Sequence, residues 1–168
     1  MLKIKRGAQG EIERFKARYV AKGINQVYGI DFYETWAPVG RYATLRALLS
    51  ICAVEDLETK HINIKCAFLN GILEEEVYVV QPPALNDGSG RVWRLKKALY
   101  GLKQAAREWH RVLAKLLSEL GFNRCASDPA LYVISVGRCI IFLWVDDLLI
   151  FSTKGTNGSI GRQNPVLV

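Results

Sequence analysis

Hydrophobic and polar positions repeat with two periods along the chain, and the change of period marks its elements. Residues 15–22 alternate apolar and basic side chains, from Phe15-Lys16-Ala17-Arg18 to Lys22. A period of two predicts a half-buried strand with one basic face, ended by Gly23. Gly29 to Pro38 predicts an aromatic-rich loop anchored by Tyr33 and Trp36. Thr44 is placed as an N-cap. Leu45, Leu48, Leu49, Cys52 and Ala53 follow at helical spacing, so 45–55 predicts a core helix. His61 to Lys65 predicts a short strand with Ile62 and Ile64 on one face. Cys66 to Asn70 fits one helical turn closed by Gly71. Val77 to Val80 predicts a strand stopped by Pro82-Pro83. Asn86 to Gly90 is a turn, and Val92 to Leu95 resumes an extended segment.

The clearest helix spans 103–120. Ala106, Trp109, Leu113, Leu116, Leu117 and Leu120 share one face, Lys103, Arg107, Arg111 and Lys115 another, and Gly121 closes it. Leu131 to Val136 predicts a strand, Gly137-Arg138 a turn, and Cys139 to Val145 a second strand. Asp146-Asp147 then reads as a hairpin tip before a strand over Leu148 to Phe151. After Lys154 the composition becomes linker-like. These elements predict an α+β fold, an antiparallel sheet backed by helices.

Half of the 168 residues are hydrophobic and 23% are charged, which excludes a disordered chain. No apolar run reaches the roughly 18 residues of a membrane span. Met1 to Arg6 has no apolar stretch behind its charges. The expectation is an intracellular protein without signal peptide or membrane segment. Cys52, Cys66, Cys125 and Cys139 show no C-x-x-C spacing, so they are expected as reduced thiols in apolar segments. His61 and His110 have no ligand partner at i+3 or i+4 and read as ordinary structural or surface histidines.

Charge is segregated. Residues 1–30 carry seven basic and two acidic side chains, 31–90 four and nine, and 91–115 eight and one. Two basic blocks flanking an acidic one suit a polyanion beside a metal site, or are solvated faces. The basic row of the 103–120 helix either serves solubility or lies along a phosphate backbone.

The sharpest local feature is Asp146-Asp147. A two-residue hairpin loop favours Asn-Gly or Asp-Gly. Adjacent carboxylates raise each other's pKa unless a cation neutralises them. The pair is either an exposed turn, where Asp is common, or a site for Mg2+, a hard ion that takes oxygen ligands. A two-metal site needs a further bridging carboxylate. The facing strand, His61 to Lys65, offers Asn63 at its centre.

Phe15–Gly23 (FKARYVAKG), Gly29–Val39 (GIDFYETWAPV), Ala67–Gly71 (AFLNG), Glu75–Pro83 (EEVYVVQPP), Lys97–Arg107 (KALYGLKQAAR) and Trp144–Asp147 (WVDD) stand in this order. With these motifs the chain resembles the reverse transcriptase domain of copia-type retrotransposon Pol polyproteins, over roughly residues 11–153. Residues 1–10 are left as an N-terminal segment and 154–168 as an unrelated flexible tail.

The resemblance implies a polymerase with fingers and palm, extending a primer on an RNA or DNA template with deoxynucleotides and two Mg2+ ions. It makes Asp146 a metal ligand and Asp147 the supporting acid. It places Lys16, Arg18 and Lys22 against the incoming triphosphate. It sets Phe68 beneath the sugar, where it excludes a 2′-hydroxyl, unless Phe68 is a plain core residue. Gly101 to Arg107, with Gln104 and Arg107, would form the template and nucleotide platform. In a non-catalytic, nucleic-acid-binding reading, Lys103, Arg111 and Lys115 meet nucleic acid.

The departures from the family pattern matter equally. The position expected to bridge both metals is Asn63 instead of aspartate. One charge pair at about 4 Å is worth roughly 4 kcal/mol at an effective dielectric near 20, or about three decades in rate. Trp144 stands for tyrosine and Ala106 for proline. The chain stops soon after the acid pair, so no thumb is expected. The implied reading is a catalytically impaired fragment. The alternatives are a non-catalytic nucleic-acid-binding fragment, an inert transposon remnant, or an enzyme completed by a separate chain.

Overall fold

The uninterrupted apolar runs flanking Val145-Asp146 become two central strands. In the computed structural model, which describes residues 1–134 and 138–154, β1 (Leu2–Arg6) and β2 (Ile12–Ala17) form a hairpin. Helix α1 (Tyr42–Val54), β3 (Glu58–Asn63), β4 (Ile72–Val80), β5 (Val92–Lys97) and α2 (Ala105–Glu119) follow. The short β6 (Asn123–Arg124), then β7 (Leu131–Ile134), β8 (Cys139–Trp144) and β9 (Asp147–Ser152), complete the order. The fold is α+β, with antiparallel sheets: β1-β2, β4-β5, and a five-stranded sheet ordered β3-β9-β8-β7-β6.

The five-stranded sheet is buried on both faces, which is why β8 and β9 read as continuous apolar runs. Ile141, Leu143, Leu148 and Ile150 pack with Trp109, Leu113 and Leu117 of α2. Phe142 and Phe151, on the opposite face, pack with Leu45, Leu48 and Cys52 of α1. Among the described residues no helix is long and apolar enough to cross a membrane.

Several expectations are corrected. The strand expected over 15–22 spans Ile12–Ala17, because its partner is β1, whose alternation Leu2-Lys3-Ile4-Lys5 supplies the matching register. Its faces are also inverted: Phe15 is 75% exposed and Lys16 is half-buried. Lys3 lies opposite Lys16 and Lys5 opposite Arg14. Thr44 does not cap α1, which starts at Tyr42 after Arg41. Its hydroxyl instead donates to Asp128 Oδ2 at 2.6 Å, tying α1 to the loop before β7. Tyr33 and Trp36 are exposed, and the anchor of their loop is Phe32, buried under the Lys103 ammonium 4.7 Å from its ring centroid. Lys103 precedes α2. Cys66 is exposed, in the left-handed region at φ 55°. The ends of the 131–136 strand and of its turn, and the segment after Lys154, lie outside the described residues.

Two close approaches position the site. Gly71, at φ −64°, lets the 67–70 turn press on α2. A Cβ there would lie 2.9 Å from the Trp109 nitrogen and 3.0 Å from Glu108. Gly101, at φ +93°, lets residues 100–102 pass the 18–23 segment, and a Cβ would meet the Ala21 carbonyl at 2.2 Å. The Ala21 N–H donates to the Tyr100 carbonyl beside it.

Candidate active site

The acid pair does not sit at the hairpin tip as the sequence suggested. Trp144 pairs with Asp147, so the two-residue loop is Val145-Asp146 and Asp147 opens β9. The two carboxylates therefore have different surroundings. Asp147 stands in the sheet opposite Asn63 of β3. Its Oδ1 accepts the Asn63 side-chain amide at 2.8 Å and lies 2.8 Å from His61 Nε2. The Asn63 hydrogen bond, supported by His61, holds the Asp147 carboxyl below its usual range despite partial burial.

Asp146 is pushed the other way. Burial and the neighbouring Asp147 charge raise its pKa, and Arg18 opposes them. Asp146 Oδ1 is buried with no hydrogen-bond partner among the described residues. The Ile64 N–H, just beyond β3, donates to the Asp146 carbonyl at 2.9 Å. The two adjacent acids are thus pushed in opposite directions by their surroundings.

Arg18 bridges the β1-β2 hairpin to this corner. Its guanidinium lies 5.3 Å from the Tyr100 ring centroid, and Tyr100 packs on Phe68 with centroids 5.0 Å apart. Burial, with Asp146 and Cys66 beside it, pushes the Tyr100 phenol up. The Arg18 charge first, then desolvation, and then Arg14 and Lys5, hold the Lys16 pKa below its usual value. Asp146, Arg18, Phe68 and Tyr100 thus converge, with Lys16 and Cys66 at the margin.

Other candidates lie elsewhere. Lys22 lines a separate groove with Tyr19, Gln26 and Val80. Gln104 is fully buried: its oxygen accepts from Gln26 at 3.0 Å and its amide donates to the Asp31 carbonyl at 2.8 Å. Arg107 is held by Glu34 and Glu108, and Arg111 by Glu74 and Glu108. Lys115 is 80% exposed, 4.0 Å from Glu119.

His61, Tyr100 and Glu108 were missed from sequence. Glu108 is buried on α2 between two arginines one and three positions away, a spacing that could have signalled it. His61 could have been found as the residue two before Asn63 on the same strand face.

Whether these residues suit the divalent ions that such a site implies follows from the donor set. Asp146 Oδ1 is the one buried oxygen of the acid pair left without a hydrogen-bond partner among the described residues. Asp147 Oδ1 is already engaged, Asn63 is a neutral amide donating its N–H, and no group of three His, Cys, Asp or Glu converges among the described residues. The set offers one buried, unpartnered carboxylate oxygen where a two-metal site needs bridging carboxylates.

Comparison with known proteins agrees with the motif pattern. The family described as "Reverse transcriptase (RNA-dependent DNA polymerase)" matches residues 1–159. The chain is 42% identical over 147 residues to the retrovirus-related Pol polyprotein from transposon RE2 of Arabidopsis thaliana, covering 85% of this chain and 10% of that one. It is 38% identical over 155 residues to the Pol polyprotein from transposon TNT 1-94 of Nicotiana tabacum, covering 89% and 12%. It therefore spans about a tenth of the length of these relatives. No solved structure matches it. With its motifs in family order and the family matched over nearly the whole chain, this protein belongs to the reverse transcriptase family, in the copia-type branch found in retrotransposon Pol polyproteins.

Proposed function

We propose that the chain is a fingers-and-palm fragment of a polymerase whose nucleotidyl transfer is impaired at Asn63. The observation that supports this most is the Asn63 amide donating to Asp147 Oδ1 at 2.8 Å, at the position where the family resemblance expects a bridging carboxylate. In this reading Asp146 offers its unpartnered oxygen to one divalent cation, which when bound neutralises phosphoryl charge. Arg18 and Lys16 present positive charge to a triphosphate. Phe68, steadied by Tyr100, forms a flat apolar wall under a sugar. Asn63 and His61 occupy Asp147 Oδ1 and fix the orientation of its carboxylate.

Primer extension on an RNA template with Mg2+, comparing the chain with Asn63→Asp, tests this. Silence of the parent with extension by Asn63→Asp is the expected result. Extension by the parent at the variant's rate overturns it.

The basic hairpin face favours a second reading, nucleic-acid binding without turnover. Lys3, Lys5, Arg14, Lys16 and Arg18 form no ion pair among the described residues. Binding to a labelled oligonucleotide should weaken steeply with salt, and the slope should shrink in Lys3→Gln/Lys5→Gln.

A further inference from the structure

Val145 carries a backbone conformation that its side chain disfavours. It is the one β-branched residue at positive φ, 56°, among the described residues. A non-glycine residue in the left-handed region is uncommon, and a β-branched one is an outlier. Such an outlier persists only where its surroundings over-determine it. Two-residue hairpin loops ordinarily give this first position to glycine or asparagine, so the sequence breaks the local rule at the one turn that carries Asp146.

The surroundings that hold it are specific. Both carbonyls of the loop take donors from outside the hairpin. Asp146 O accepts the backbone N–H of Ile64 at 2.9 Å. Val145 O accepts the indole Nε1–H of Trp109 at 3.1 Å. Trp109 is 2% exposed, and Gly71 packs against its backbone nitrogen, so the indole has little room to move. The Val145 carbonyl belongs to the central peptide of the turn. Turn types I and II, and their mirror images, differ by a flip of that peptide. A flip would reverse the carbonyl, discard the indole hydrogen bond and re-aim the Asp146 N–H and side chain.

We propose that Trp109 is a positioning residue for the acid pair. Its indole N–H locks the Val145–Asp146 peptide plane, and with it the direction in which Asp146 presents its unpartnered carboxylate oxygen. This rests on the reading of Asp146 as the cation-facing acid. The buried indole thereby joins the helix that builds the core to the loop that carries the chemistry.

The test is nuclear magnetic resonance of the whole chain and of Trp109→Phe, which keeps the aromatic bulk and removes the donor. In the parent, a through-hydrogen-bond coupling between Trp109 Nε1 and the Val145 carbonyl carbon is expected. In Trp109→Phe, exchange on the μs–ms timescale should appear at Val145, Asp146 and Asp147. Leu113→Ala, a core truncation on the same helix, should leave those amides quiet. Absence of the coupling in the parent overturns the proposal even if Trp109→Phe fails to fold. Quiet turn amides in a folded Trp109→Phe also overturn it. Mn2+ binding, read by water-proton relaxation, should weaken about tenfold in Trp109→Phe, the factor that about 1.4 kcal/mol represents. Mn2+ that binds neither chain refutes the cation role of Asp146, while the turn dynamics still decide the role of Trp109.

Discussion

Replacing Asn63 by aspartate should make the stability of the protein depend on metal. In the parent, the Asn63 amide donates to Asp147 Oδ1 at 2.8 Å. A hydrogen bond to a charged acceptor is worth about 1.5–3 kcal/mol in a shielded site. The Asp147 side chain is 38% exposed, which reduces the expected loss to about 1 kcal/mol. Aspartate adds repulsion as well. Two like charges about 4 Å apart repel by about 1 kcal/mol in water and about 4 kcal/mol at an effective dielectric of 20. This half-exposed site falls between those limits. The metal-free variant should therefore lose about 2–5 kcal/mol, a drop in Tm of roughly 4–20 °C for a domain of this size. A cation that gathers the carboxylates reverses the effect, by about 2.7 kcal/mol at a hundredfold excess over its Kd. Calorimetry in EDTA and in MnCl2 measures both terms. The reasoning is refuted if Asn63→Asp melts with the parent in EDTA, or if Mn2+ raises the Tm of both chains equally.

Other consequences are equally direct. Gly71→Ala should destabilise by about 1–3 kcal/mol through overpacking, because the new methyl meets the α2 backbone at 2.9–3.0 Å; an unchanged urea midpoint would contradict it. Ala106→Pro should stabilise by about 0.4–1 kcal/mol. Ala106 lies in the first turn of α2, where proline is tolerated, and it lines a small apolar cavity of about 30 Å³ with Phe68 and Trp109; a lower urea midpoint would count against this. Burial first, and then Arg124, lower the His110 pKa below 6.5, so the unfolded chain takes that proton more readily. The His110 contribution is intact above that pH and lost as pH falls through it; His110→Gln should flatten the decline seen in urea unfolding. Burial pushes the Cys139 thiol up to about 11, whereas Cys66 is exposed. In Ellman titration Cys66 should react in the native state, and Cys139 only on unfolding.

What the sequence revealed depended on how strongly each element was over-specified. Helix α2 was legible because its apolar stripe and core contacts coincide in Trp109, Leu113 and Leu117. Strands β8 and β9 were legible because both faces are buried. Their turn was displaced by one residue because Val145 adopts a conformation that turn chemistry assigns to other residues. The β1-β2 hairpin was half-seen: period two was correct, but periodicity does not say which face turns inward. Thr44 looked like a cap because a hydroxyl beside a helix start usually is one. A tertiary partner, Asp128, claimed it instead. At the candidate site, the pattern placed the strand of Asn63 facing the acid pair, and the sheet register sets Asn63 opposite Asp147. The Tyr100–Phe68 stack and the His61–Asp147 contact arise from pairing across the chain, which spacing alone does not encode.

The β1-β2 hairpin sets like charges directly across from each other, Lys3 against Lys16 and Lys5 against Arg14. Each such pair of like charges disfavours the hairpin. Its outer face, with Leu2 and Phe15 largely exposed, returns little through burial. This element is therefore loaded like a compressed spring, held shut by its backbone ladder and by the Arg18 contact with Tyr100. Dissolved electrolyte relaxes that load. Ionic strength should then tighten this corner of the protein while it loosens the surface ion pairs elsewhere, making the hairpin a local gauge of the anions around it.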